Sequence, residues 1–345
     1  MKPKIAVLGA GAIGSSVATD FSLAGLDIAV VDQWPAQVEA MKSNGLRIDI
    51  KDQRLESPIN AYHLCELASL NAEFEMVFMA VKSNDARWMA ELIRPYLKED
   101  GVLVGLQNSL NDDAIASIIG RERTVGSVVE LSAEIFEPGI VQRDTTHAGT
   151  WFGLGELSGE ITPRLGEIEK MMRLVGQVGI TQNIYGAKWT KLIANSMTMG
   201  PFGLLGLKNW EAKELPGMID ISIALGRESL AVGRALDYQI EPIFGLTADE
   251  FSGASDDVLR TAMDTLMKHV GSSSSTAPVH DHKKGRKTEM EFINGLVVRK
   301  GKEVGVPTPF NSAVCDIDRQ ICRGEIGMTA ANFDLLNSKI AAFLN

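Results

Sequence analysis

Three glycines near the start of the chain have the spacing to hold a phosphate. Gly9, Gly11 and Gly14 stand as Gly-Ala-Gly-Ala-Ile-Gly, directly after the apolar run Ile5-Ala6-Val7-Leu8 and before a helix-like run at 15–23. In a strand-turn-helix the first glycine permits the tight turn, the second lets the backbone approach a pyrophosphate, and the third lets helix and strand pack closely. The first helical amides then face the phosphate charge. Eighteen residues after Gly14, Asp32 closes a second apolar run, Ala29-Val30-Val31. A carboxylate there accepts hydrogen bonds from both hydroxyls of an adenine ribose. Gly9, Ala10, Gly11, Ala12, Ile13, Gly14 and Asp32 therefore read as a dinucleotide site. The plainer alternative is a turn that merely packs, with Asp32 a solvated turn residue. Its charge opposes the 2′-phosphate of NADP, and Gln33-Trp34-Pro35 supplies no arginine, so NAD is the expected cofactor. NADP is the alternative, with Lys42 or Arg47 swinging in to accept the phosphate.

The elements that must carry this loop follow from hydropathy. Short β-branched runs at 4–8, 28–31, 76–81, 102–106 and 124–129 alternate with helical patterns, which argues a parallel sheet covered by helices. Segment 139–154 reads as added strands, without another strand-helix unit. From Trp189 onward the pattern becomes long and amphipathic, at 189–199, 217–236, 255–270, 288–304 and 308–322. Breaks fall at 242–245, at 272–275 and at Pro307 with Pro309. The expected fold is α/β: an N-terminal Rossmann-type doubly wound parallel sheet over 1–184, then an all-helical domain over 185–345. A chain of 345 residues exceeds one ordinary core, so two domains with a cleft between them are the default.

Composition narrows the class. Hydrophobic residues make up 45% and charged residues 23%, which suits a globular protein and neither disorder nor a disulfide scaffold. A net charge of -10 without a long basic run argues against nucleic acid. No uninterrupted apolar stretch is long enough for a membrane span, and the broken apolar start reads as a strand, not a signal peptide. Cys65, Cys315 and Cys322 lack close-paired spacing, so a reducing cytoplasm is expected. Cys315 and Cys322, seven apart, share a helix face and read as packing. The apolar helices of the second domain can pair two copies as a homodimer.

Several separated motifs resemble the ketopantoate reductase (2-dehydropantoate 2-reductase) family over nearly the whole chain. They are Ala80-Val81-Lys82, Leu106-Gln107-Asn108, Lys188-Trp189-Thr190-Lys191-Leu192-Ile193-Ala194-Asn195, and Gly285-Arg286-Lys287-Thr288-Glu289-Met290-Glu291-Phe292-Ile293-Asn294-Gly295. The resemblance implies a nicotinamide-dependent oxidoreductase acting on a 2-oxo or 2-hydroxy acid. It implies Lys191 as catalytic lysine, Glu289 as active-site carboxylate, Asn108 and Asn195 as substrate-binding, and Lys82 as a cofactor-side lysine. The chemistry is consistent: hydride arriving at a ketone carbon leaves alkoxide charge, which a cation able to give a proton stabilises. Four apart on a helix, Lys191 and Asn195 share a face. Asn108 follows an apolar strand, at the sheet end where such folds bind ligands, and is expected near both cofactor and substrate. Taken alone, Lys191 reads as a solvated helix residue, Glu289 as a helix-start acid, Asn108 as a turn residue and Lys82 as a surface lysine.

Departures from the family pattern bear on the substrate. Met199 stands where the family places a second substrate asparagine, and Ala277 stands near its substrate-binding serine, with Thr276 the candidate substitute and Asp281 retained. A site that loses such donors discriminates differently. One reading is therefore ketopantoate reduction. A second is an NAD-dependent dehydrogenase of another, more apolar hydroxy acid or alcohol, with Lys191 as base. A third is a non-catalytic dinucleotide sensor. His280 and His282, two apart in a segment read as extended, face the same way, but no further Cys or His is close in sequence, and no metal is expected.

Overall fold

The computed structural model describes residues 4–51, 53–241, 256–270 and 274–344. It divides into two compact units, Met1–Ile184 and Tyr185–Asn345. The predicted break at 242–245 lies outside the described residues, as do 255 at the start of one predicted helix and 272–273 of the serine run.

The first unit is built on a mixed, largely parallel sheet. Its strands are β1 (Ile5–Leu8), β2 (Ile28–Asp32), β5 (Ala61–His63), β6 (Phe74–Met79), β7 (Leu97–Gly105), β8 (Thr124–Glu130), β11 (Trp151–Glu156) and β12 (Gln177–Ile180). They lie in the order β12-β11-β8-β7-β6-β1-β2-β5. Strand β1 pairs in parallel with β2 on one side and β6 on the other, so strand order reverses at β1. The apolar runs of β1 and β2 are buried on both faces, as parallel strands between helical layers must be. Helix α1 (Ala12–Leu23) lies against the sheet, where Phe21 meets Phe78 edge to face at 5.0 Å. The other helices of this unit are α2 (Pro35–Asn44), the one-turn α3 (Leu67–Leu70), α4 (Ser83–Ile93), α5 (Asp112–Ile119) and α6 (Pro163–Met172).

Two features differ from the sequence reading. Segment 139–154 enters two sheets, because β10 (Ile140–Arg143) joins β3 (Leu46–Ile50), β4 (Gln53–Ser57) and β9 (Ala133–Glu137) in a separate sheet of order β4-β3-β10-β9. Strand β11 runs antiparallel to β8 and then, through α6, parallel to β12, a strand-helix-strand unit that the sequence reading ruled out. Buried Arg143 ties these pieces together. Its guanidinium pairs with Asp20 of α1 at 2.7 Å and donates to Thr145 O, Thr150 Oγ1 and Val175 O. Such a buried cation is tolerable because its donors are matched.

The second unit is helical among its described residues: α7 (Ile184–Gly203), α8 (Asn209–Lys213), α9 (Met218–Ala235), α10 (Asp256–Val270), α11 (Ala277–Lys283), α12 (Asn294–Val304), α13 (Pro309–Cys322) and α14 (Asn332–Leu344). Predicted helix 288–304 is interrupted. Residues Met290–Phe292 form a 3-10 turn, and Ile293 leaves helical geometry before α12 begins. A polar network fastens the bundle: Asn294 donates to Ser196 O of α7 and to Asn311 Oδ1, while Glu228 of α9 accepts from the backbone of Phe310 and Asn311. No helix among the described residues is long and apolar enough to cross a membrane.

Candidate active site

In the first unit the candidate cofactor residues gather at the carboxyl ends of β1, β2, β6 and β7, where strand order reverses. Gly9 has φ +97, and a Cβ there would meet Val81 N at 2.9 Å, so both conformation and neighbour demand glycine. At Gly14 a Cβ would sit 1.8 Å from Gly9 O, so the third glycine is fixed by helix-strand packing. Gly11 differs. It is exposed, its φ of -68 suits any residue, and a Cβ would have nothing within 4 Å. The fold itself does not require glycine there, whereas a pyrophosphate approaching the α1 amides would.

Asp32 is buried at 8% exposure, not solvated. Its Oδ2 accepts from Ala10 N at 2.5 Å and its Oδ1 from Trp34 N at 2.7 Å. The carboxylate thus braces the glycine loop. The two cations weighed for a 2′-phosphate are engaged elsewhere, Lys42 with Glu66 at 2.8 Å and Arg47 with Asp49 at 2.6 Å. Those salt bridges hold Lys42 and Arg47 above their ordinary pKa values, chiefly through the hydrogen bonds to the carboxylates.

Lys82 stands at the N-cap of α4, next in the chain to Val81, which lies against Gly9 just beyond β6. Asn108 lies after β7. Its carbonyl accepts from Asn111 Nδ2 at 2.9 Å, Asn111 also donates to Ser83 Oγ, and Gln107 Nε2 donates to Met79 O. The segment is therefore latched to the start of α4. Ser83, Gln107 and Asn111 were missed as supporting residues, since their partners are 28 or so positions away and no local pattern marks them.

In the second unit Lys191, Asn195 and Met199 follow one another at helical turns along one face of α7. Lys191 and Met199 are partly exposed, whereas Asn195 is 5% exposed and its Nδ2 has no hydrogen-bond partner among the described residues. One turn beyond Met199, Gly203 brings α7 close to α11: a Cβ there would lie 2.7 Å from Pro278 Cβ and 3.7 Å from Thr276 Oγ1. Thr276 is the N-cap of α11, yet its hydroxyl makes no capping bond and, 8% exposed, has no hydrogen-bond partner among the described residues. A threonine at this position ordinarily spends its oxygen on the helix. Asn195 and Thr276 thus each carry a buried polar atom with capacity to spare for a partner. Glu289 is buried in the turn before Met290–Phe292, and so is not carried by the helix expected there.

The histidine reading needs correction. Residues Ala277–Lys283 are helical, so His280 and His282 point apart: His280 Nε2 meets Ser275 O at 3.1 Å, while His282 lies against Asp318 at 3.1 Å. Cys322, forty residues on from His282, comes into the same cluster.

The comparisons agree with this architecture. The family description "Ketopantoate reductase PanE/ApbA" matches residues 5–156, and "Ketopantoate reductase PanE/ApbA C terminal" matches residues 183–321. Among curated proteins, the 2-dehydropantoate 2-reductase of Archaeoglobus fulgidus is 26% identical over 327 residues, covering 93% of this chain and 98% of its own. That of Mesorhizobium japonicum is 27% identical over 341 residues, covering 92% and 97%. Among solved structures, a ternary complex of D-mandelate dehydrogenase with NADH and anilino(oxo)acetate has a TM-score of 0.82 at 18% identity, covering 93% of this chain and 98% of its own. The 2-dehydropantoate 2-reductase of Geobacter metallireducens has a TM-score of 0.78 at 23% identity, covering 92% and 99%. At these identities the structures establish the fold alone.

Proposed function

This chain belongs to the ketopantoate reductase family, and on that premise we propose that it is an NAD-linked oxidoreductase of a 2-oxo or 2-hydroxy acid with Lys191 as its general acid or base. A pyridine nucleotide is the cofactor, and the reaction class is hydride transfer at a CH-OH carbon. The observation that carries the site assignment is the buried, open Nδ2 of Asn195, one helical turn from Lys191.

A bound nucleotide would supply or accept the hydride. Gly9, Gly11 and Gly14 and the first amides of α1 would hold its pyrophosphate, and Asp32 would accept from its ribose. Lys82 and Asn108 stand on the same sheet edge as its further contacts. The engagement of Lys42 and Arg47 with carboxylates supports NAD over NADP.

Lys191 places a positive charge and a transferable proton at the substrate oxygen: it gives the proton as the ketone is reduced and withdraws it when the hydroxy acid is oxidised. Asn195 Nδ2 and Thr276 Oγ1 orient the polar end of the substrate, and Glu289 holds a substrate hydroxyl or the lysine by a charge-assisted bond. Met199 on the same face supports a substrate more apolar than ketopantoate at that point. Cys65, Cys315 and Cys322 are free thiols, which suits a cytoplasmic enzyme.

The test is an absorbance assay of the reduced nicotinamide, with NADH or NADPH and ketopantoate, then with NAD or NADP and a panel of 2-hydroxy acids and alcohols. NAD-linked turnover of an apolar 2-hydroxy acid is the expected result. NADPH-linked turnover of ketopantoate would overturn the cofactor and substrate assignments while leaving the reaction class. Cofactor binding without turnover of any acid or alcohol would overturn the enzymatic reading in favour of a sensor.

A further inference from the structure

We propose that His282, Asp318 and Cys322 form a divalent metal site of the zinc class that fastens α11 to α13. His282 belongs to α11, while Asp318 and Cys322 are four apart on α13 and so share a face. His282 Nε2 lies 3.1 Å from Asp318 Oδ1, and Cys322 Sγ lies 3.8 Å from Asp318 Oδ2. All three ligand atoms fall within 4.8 Å of one another. Donors bound tetrahedrally to one zinc at about 2.0–2.3 Å stand roughly 3.3–3.8 Å apart, so small side-chain shifts complete the geometry.

A second observation points to a ligand. The His282 side chain is only 4% exposed, and its Nε2 has no hydrogen-bond partner among the described residues although a carboxylate oxygen is near. Nitrogen and oxygen are thus close but not aligned for a hydrogen bond, an arrangement that a shared cation resolves. Thr288 Oγ1, 2.9 and 2.8 Å from the two Asp318 oxygens, holds the carboxylate in place, the role that outer-shell donors play at metal centres. Cys322 is exposed and gives an ion access from solvent. A mixed nitrogen, oxygen and sulfur set suits zinc, whereas magnesium and calcium take oxygen. On binding, the Cys322 thiol releases its proton to solvent and its thiolate joins the metal.

The consequence is structural. Thr276 stands at the N-cap position of α11, and Glu289 follows Thr288, so a metal here stiffens the segment that holds two of the candidate active-site residues. The site does not depend on the proposed reaction, because its test reads metal and not turnover.

The experiment is titration of the full-length protein with Co²⁺, followed by absorbance in the near ultraviolet. A thiolate-to-cobalt charge-transfer band saturating at one ion per chain is expected, and Zn²⁺ should displace it. Cys322→Ser should abolish the band, Cys65→Ser should leave it, and His282→Ala should weaken Co²⁺ binding by roughly tenfold or more. Absence of the band in the parent, its survival in Cys322→Ser, or unchanged affinity in a folded His282→Ala would overturn the proposal. Cys322 is exposed at a helix end, so Cys322→Ser keeps the test decisive even where His282→Ala does not fold.

Discussion

In the glycine loop both backbone groups of Ala10 are answered by side chains, whereas α7 and the start of α11 each carry a buried polar side-chain atom left open among the described residues. Ala10 N is answered by Asp32, and Ala10 O by Ser15 Oγ and Gln37 Nε2. Asn195 Nδ2 and Thr276 Oγ1, by contrast, are buried and unanswered. An unpaired buried polar group costs about 1–3 kcal/mol, so a fold retains one where something other than folding is gained. On the proposed function, the first region would grip a cofactor with backbone and shape, and the second would recognise a smaller molecule with side chains.

The sharpest way to break this comparison is at Lys191. Lys191→Ala should lower kcat by roughly 10²–10⁴-fold, the usual worth of a general acid or base, with cofactor affinity unchanged. Steady-state kinetics beside a nucleotide titration by fluorescence checks it. Equal loss of both quantities would mean that the lysine serves the fold or the cofactor.

Within the glycine loop, two substitutions should separate packing from binding. Gly14→Ala drives a methyl into Gly9 O and should destabilise the protein by roughly 1–3 kcal/mol in urea denaturation. Gly11→Ala meets nothing in the protein and should change stability by less than about 0.5 kcal/mol. It should nonetheless weaken nucleotide binding by roughly tenfold or more, because the backbone must approach the pyrophosphate there. If Gly11→Ala binds as the parent does, the loop is only a turn.

At the open end of the comparison, Thr276→Val keeps shape and removes an unpaired hydroxyl. It should stabilise the protein by about 1 kcal/mol while raising KM for the acid substrate. A stabilised variant with unchanged KM would remove Thr276 from the site.

The two regions also differ in how much of them was legible beforehand. The glycine loop is local: apolar run, three glycines and Asp32 lie within one strand-helix-strand unit, so spacing alone locates it. Helix α7 was legible as a face, since Lys191, Asn195 and Met199 recur at the helical period. What escaped depended on distant partners. The sheet containing β10 draws strands from 46–57 and 133–143, which no short-range pattern joins. Histidines two apart looked extended, but Pro278 near the start of α11 and the bond from Val279 N to Thr276 O make the segment helical. Asp318 and Cys322 became neighbours of His282 only through helix packing, and the open state of Asn195 and Thr276 is a property of surroundings, not of residue type.

The smallest effect concerns the network behind α7. Glu228 caps the start of α13 through Phe310 N and Asn311 N and accepts Asn311 Nδ2 at 2.7 Å, while Asn311 in turn receives Asn294, which holds Ser196 O. Burial pushes the Glu228 carboxyl above its ordinary pKa, and the hydrogen bonds from Asn311 and Phe310 only partly offset this. The folded state therefore holds this proton more tightly than the unfolded chain does. The stabilisation is fully present below the ordinary glutamate range and is lost as pH rises through the folded value. Glu228→Gln cannot titrate, so the advantage of the parent over this variant should grow as pH falls from neutral towards 4.5, and paired urea denaturation series across that range measure it. A constant difference would mean that the folded and unfolded carboxyls titrate alike, and an advantage that shrinks towards pH 4.5 would mean that Glu228 stays ionised in the fold, capping α13 as a charge.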